Sequence, residues 1–295
     1  MKRILALKIF ILLVLIITIS CQRDKKKEKH QDVYIDSIIQ EEEYLEEIEV
    51  FFPSPNEVIN LITETGIDYY PELVNPINKH ESYLGLREKS LGLGVYTSDL
   101  AYLVAFEDFS NAVQYLDVVY YMSNDLNISN IMTVEKVERI KENMQIPDSL
   151  NAISNELFLD FIELLKYNER EEILSMVMLG SYIEAIYLAA WSIEDFNEQK
   201  LSIDIISEQK YAFENCIEFV SKYDSNKDIA KLLDDLEPVK RLFDDIKRVK
   251  VDSDLRTESK GKLVFGAGSK LNMTKEQFET LKTEIKRIRE QIVSI

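Results

Sequence analysis

EEILSMVMLGSYIEAIYLAAWSIEDF, residues 171–196, sets apolar side chains on every side of a helix. A helix that is apolar all round sits at the centre of a fold with other helices covering it. Its rival reading is a membrane span. Glu184 in the middle and Ser175, Ser181 and Ser192 along its length favour a covered core helix.

The stretches on either side supply the cover. Leu150 to Leu165 carries Ile153, Leu157, Phe161 and Leu164 at alternating spacings of three and four, the period of one helix face. Before it, Thr133 opens a helix with Val137, Ile140 and Met144 on one side; Pro147 ends that helix and Asp148 caps the next. Ser110 to Asn124 repeats the pattern with Val113, Leu116, Val119 and Tyr120, and Asn127 terminates it. A shorter helix is predicted over Thr97 to Glu107, opening on Thr97 or Ser98. Another is predicted over Lys79 to Leu91, with Gly92 and Gly94 separating the two. The domain begins at Pro53-Ser54-Pro55, where Ser54 or Asn56 caps a helix that Gly66 stops. Gly66 to Pro76 is a loop with two tyrosines.

After the central stretch, amphipathic helices are predicted over Asp204 to Lys222 and Asp228 to Val249, the second with Pro238 inside it. Residues 250–273 read as a long irregular connection holding a strand-like piece, Leu263-Val264-Phe265. The last helix, Thr274 to about Val293, buries Phe278, Leu281, Ile285, Ile288 and Ile292. About nine helices in residues 53–295 make an all-α bundle or array.

Two of these segments resemble each other. Gly94 to Ala105 (GVYTSDLAYLVA) aligns with Gly180 to Ala190 (GSYIEAIYLAA) with one gap, matching glycine, tyrosine, acid, tyrosine, leucine and alanine. Two copies fall short of a repeat protein, but they fit a pseudo-twofold pair of core helices. Asp99 and Glu184 are then equivalent lone acids in apolar helices, and buried carboxylates must be paired, hydrogen-bonded or protonated. If the helices pack together, both acids face one cavity that Tyr96, Tyr102, Tyr182, Tyr187 and Trp191 would line. The plain alternative is that each acid accepts a tyrosine or serine hydroxyl, or that Asp99 caps a helix start.

Other chemistry lacks its parts. His30 and His80 are the only histidines, one in the tether and one near the start of a predicted helix, so histidine-based zinc sites and histidine triads lack parts. Asp234-Asp235 and Asp244-Asp245 alternate with Lys240, Arg241, Lys247 and Arg248, as a solvated helix face does. Phe265 to Lys270 (FGAGSK) lacks the spacing of a phosphate loop. No cofactor, metal ligand set or catalytic residue is predicted. Cys216, in a helix-patterned apolar stretch, reads as core.

The N-terminus has its own logic. Lys2, Arg3 and Lys8 precede an unbroken apolar run, Ile9 to Ile19, and Thr18-Ile19-Ser20-Cys21 closes it. This is the architecture of a secretion signal, and the run is short for a bilayer core that takes about 20 residues to span. Its ending resembles the lipobox of bacterial lipoproteins, with Thr18 where leucine is usual. That resemblance implies that Cys21 is lipidated and becomes the mature N-terminus, with membrane attachment through its acyl chains. Residues 22–52 read as a charged tether, its lysines beside the lipid and its Glu-rich part, from Ser37 to Phe52, either helical or extended. Losing residues 1–21 removes three basic side chains and moves the formal charge from −18 to about −21. Such a domain repels phosphate backbones, which excludes nucleic acid as a partner and favours a protein, peptide or small solute.

Pro53-Ser54-Pro55-Asn56-Glu57 with Gly66, Leu91-Gly92-Leu93-Gly94-Val95-Tyr96 through Asp99-Leu100-Ala101-Tyr102, Gly180 to Ala189, and Met273 to Phe278 together resemble helical envelope lipoproteins of Bacteroidota. The resemblance implies an envelope lipoprotein and supplies no reaction, substrate or catalytic residue. Gln22 after the cysteine, by analogy with sorting rules of other Gram-negative bacteria, points to the outer membrane. The basic residues that follow differ from acid-rich surface-export tags and point to its periplasmic face. The functional expectation is a lipid-anchored, non-enzymatic binding module. Its alternative is a small-molecule-binding protein or enzyme with an enclosed pocket near Asp99 and Glu184.

Overall fold

A computed structural model of the chain describes residues 59–60, 63–128, 130–250 and 269–294. Cys21, the tether and the strand-like piece Leu263 to Phe265 lie outside the described residues. The described residues all fall within one unit, Phe51–Ile295. They form eight α-helices, two short 3-10 helices (Pro71–Leu73 and Ile77–Ser82) and one two-stranded ribbon. The fold is all-α.

The helices are α1 (Leu86–Ala105), α2 (Phe109–Asp125), α3 (Val134–Asn143), α4 (Pro147–Tyr167), α5 (Glu171–Trp191), α6 (Lys200–Ser221), α7 (Lys227–Asp244) and α8 (Lys275–Val293). The apolar stretch that begins at Glu171 becomes α5. All residues of α5 from Ile173 to Ala190 are buried, so its membrane-length apolar window lies wholly inside the fold. Its principal partner is α1, and α6 and α8 pack on its other sides.

The predicted break at Gly92 and Gly94 is replaced by one continuous helix, α1, with both glycines in its interior. Glycine weakens a helix by about 1 kcal/mol relative to alanine, so another interaction must require it. A Cβ on Gly94 would lie 2.1 Å from the Val177 carbonyl oxygen and 2.5 Å from the Ser181 nitrogen. A Cβ on Gly180 would lie 2.3 Å from the Leu91 carbonyl oxygen. The repeated glycines therefore face each other across the α1–α5 crossing and let the two backbones touch. The Ser98 hydroxyl, one turn on, donates to the Ser181 carbonyl at 2.8 Å. The duplicated motif is the seam of the central helix pair.

Several helix ends follow the sequence. Thr133 caps α3 through the Lys136 N–H, Asn226 caps α7, and Thr274 with Gln277 forms a reciprocal capping box on α8. Asn127 closes α2 with φ 56°, and Gly66 takes φ 78° with open space where a side chain would point. Pro147 starts α4 instead of ending α3, because a proline at the first helical position gives up a donor that has no partner there. The segment Lys79 to Leu91 divides into a 3-10 helix and the start of α1. Beyond α7, the predicted helix stops at Asp244. Residues Lys247–Lys250 (β1) instead pair antiparallel with Ser269–Asn272 (β2), Arg248 opposite Leu271. The Glu208 carboxylate accepts the Leu271 N–H at 2.9 Å and ties the ribbon to α6.

Candidate functional site

The central pair presents two opposite faces. On α1, Asp99 points to one side, while Leu93, Thr97, Leu100, Ala101 and Val104 recur at helical spacing on the other.

The first face holds the acids. Asp99 and Glu184 are both fully buried, and the duplicated motif does bring them together. Glu184 takes a bidentate ion pair from Arg289 of α8, Nε to Oε2 at 2.6 Å and Nη2 to Oε1 at 2.8 Å. The Arg289 guanidinium also lies 4.1 Å from the centre of the Tyr187 ring and donates to the Leu73 carbonyl at 3.1 Å. Asp99 Oδ2 accepts the Asn75 N–H at 3.1 Å, and Oδ1 has no donor among the described residues. Burial pushes the Asp99 carboxyl well above its usual range, and the negative Glu184, within hydrogen-bonding reach, pushes it the same way. Protonated, Asp99 becomes a donor, which is how two acids share an interior with one cation.

The loop Leu73–Pro76 lies against these groups, and they and the tyrosines around them hold its polar atoms. The Tyr115 hydroxyl donates to the Asn75 carbonyl at 2.6 Å and the Tyr96 hydroxyl to the Pro76 carbonyl at 2.8 Å. The Asn75 amide donates to the Tyr83 hydroxyl at 3.0 Å. Burial drives the Tyr83 hydroxyl up to about 12, so it stays neutral. The acids thus form a latch that holds a loop. Asn75 is the buried residue of this loop, and buried backbone groups need such partners.

Of the predicted lining aromatics, Tyr96 and Tyr187 belong to this latch. Tyr102 lies further along α1, where its hydroxyl accepts the Tyr70 N–H at 3.0 Å and meets Ser192 at 3.1 Å. Trp191 sits at the end of α5 with Lys282 and Lys286 over its ring at 4.9 and 4.7 Å. Tyr182 turns the other way, its hydroxyl donating to the Gln209 carbonyl at 3.0 Å. Arg289, Asn75, Tyr83 and Tyr115 were not singled out from the sequence. Cys216 is fully buried beside Tyr182, and burial pushes its thiol up, which leaves it inert. Among the described residues no cluster of three or more metal-ligating side chains occurs.

The second face holds the space. Between α1, α2, α3, α4 and α5 lies an open cavity of ≈ 230 Å³. Leu93, Leu116, Val119, Ile140, Val177 and Met178 are among the residues of its inner wall. Leu150, Leu157, Phe158 and Phe161 of α4 form its outer wall, and these four remain half-buried. α4 has only three fully buried residues in 21, Ile153, Ile162 and Leu165, so it covers the cavity without filling it. The hydroxyls in the inner wall are already satisfied: Thr97 donates to Leu93, Ser123 to Val119, and Ser181 meets Ser98. Among the described residues no acid, histidine, lysine, arginine or cysteine lines the space.

Comparison with protein-family models, with curated proteins and with solved structures finds no match to this chain.

Proposed function

We propose that the domain is a non-catalytic binding module whose ligand seat is the apolar cavity beneath α4. The observation that carries this reading is the cavity's lining: mostly aliphatic and phenylalanine side chains, no ionisable group among the described residues except Tyr182, and inner-wall hydroxyls that are already bonded. Such a surface offers shape and dispersion to a ligand but no general acid, base or nucleophile. The enclosed enzyme site near Asp99 and Glu184 is the weaker reading, because those groups are spent on the loop Leu73–Pro76 and on Arg289.

The anchoring half of the proposal rests on sequence alone: the run closing on Cys21 and the lysine-rich residues after it. A lipid on Cys21 would hold the acidic domain beside the outer membrane on its periplasmic face. Cys21→Ser in the native host is expected to leave an unprocessed precursor without acyl label, and unchanged labelling would remove the anchor.

The binding half is tested on residues 21–295 made with Cys21→Ser, which needs no detergent. N-phenyl-1-naphthylamine fluorescence is expected to rise saturably with one site per chain. Ser154→Phe, which places a ring in the cavity from α4, is expected to abolish the signal without lowering the melting temperature. A signal that survives Ser154→Phe, or no saturable signal in the parent, overturns the reading.

A further inference from the structure

The mouth of the same cavity indicates the head of the ligand, an inference that rests on the binding reading above. Polar side chains line the space at Asn60, Asn151 and Ser154, in addition to the self-bonded hydroxyls of the inner wall. Asn151 is exposed, and Asn60 and Ser154 are half-buried, so solvent reaches all three. Their side chains carry no hydrogen bond among the described residues and are free to give and accept one. Asn151 and Ser154 are one turn apart on α4, on the stripe that continues through Phe158 and Phe161. The α3 cations that reach α4 are already engaged, Lys136 with Asp160 and Arg139 with Glu156. The chain as a whole carries a formal charge of −18.

We propose that the cavity takes a neutral amphiphile: one alkyl chain with an uncharged head that both donates and accepts hydrogen bonds, such as an alcohol, amide or glyceryl group. The volume sets the tail. A dry protein cavity of about 150 Å³ holds benzene, so one half again larger scales to about nine carbons. The lining sets the head. A carboxylate here would meet amides and a hydroxyl but no lining cation among the described residues, inside the field of an acidic domain, and would exchange good hydration for poor compensation. An ammonium would meet no lining carboxylate among the described residues, and the amide and hydroxyl groups do not replace its water.

The test compares four ligands of one chain length, 1-octanol, octanamide, octanoate and octylammonium, by isothermal titration on residues 21–295 with Cys21→Ser. Octanol and octanamide are expected to bind at least tenfold tighter than either ion, and Asn151→Ala with Ser154→Ala to weaken them several-fold while leaving N-phenyl-1-naphthylamine binding intact. Octanoate binding should tighten as salt is raised, whereas octanol binding should not move. Octanoate or octylammonium equal to or tighter than octanol overturns the neutral head. So does octanol binding that ignores both substitutions, or uptake of the naphthylamine with no uptake of any octyl compound. If neither the naphthylamine nor the octyl series binds, it is the cavity reading itself that fails.

Discussion

At the scale of residues, the latch makes two predictions. The first concerns the proton on Asp99. The folded chain holds that proton to higher pH than the unfolded chain, whose carboxyl titrates near its ordinary value of about 3.9. Below that pH both states are protonated and the contribution to stability is complete. As pH rises, the unfolded chain releases its proton first, and stability is lost until the folded carboxyl titrates too. Asparagine keeps a donor for Glu184 and has no proton to lose. Asp99→Asn is therefore expected to match the parent near pH 4 and to exceed it by more than about 1 kcal/mol at pH 7 in urea unfolding. A stability difference that does not vary with pH would mean that Asp99 is ionised in the fold. The second prediction concerns Arg289. Arg289→Met strands the buried Glu184 charge and should cost about 3–5 kcal/mol, while adding Glu184→Gln should recover part of it. The pairing of Asp99 with Glu184 was legible because their helices share a motif. Arg289 was not, although the sequence carries a signal for it. It lies four residues after Ile285 and next to Ile288, inside the buried stripe of α8, and a cation on a buried stripe needs a partner.

At the scale of elements, the α1–α5 seam is the sharpest target. Gly94→Ala would push a methyl group into the Val177 carbonyl and Gly180→Ala into that of Leu91, both backbone atoms that cannot swing aside. Each is expected to destabilise the domain by about 1–3 kcal/mol or more. The two together should cost less than their sum, because the first already opens the crossing. Circular dichroism melting of the two single variants and the double variant checks this, and strict additivity would mean that the glycines do not share a crossing. Most helices were legible, since a one-sided apolar face repeats within each of them. The division at Gly92 and Gly94 was misread because a glycine at a helix end and one at a close crossing look alike locally. What distinguishes them is a second backbone more than 80 residues away in sequence. The same limit hid β1: Lys247–Lys250 continues a charged pattern, and only pairing with Ser269–Asn272 makes it a strand.

At the scale of the whole molecule, the central pair divides the interior into a polar side, hydrogen-bonded throughout the latch except at Asp99 Oδ1, and an apolar side with space left over. Void volume lost on unfolding makes pressure destabilising. Saturating N-phenyl-1-naphthylamine is therefore expected to raise the pressure midpoint of unfolding, followed by intrinsic fluorescence, as is Ser154→Phe. If neither moves it, the space is not a void in solution. The polar side has a consequence in time. Arg289 reaches back 105 residues to Glu184 and 216 to Leu73. At about 5–20 residues per second, a ribosome that has made Glu184 needs roughly 5–20 s more to make its counter-charge. Through that interval the central helix carries a carboxylate without the guanidinium that pairs with it in the fold, and the Leu73 carbonyl lacks its donor. The seam lies within residues 86–191, whereas the Glu184 ion pair waits for the last turns of α8.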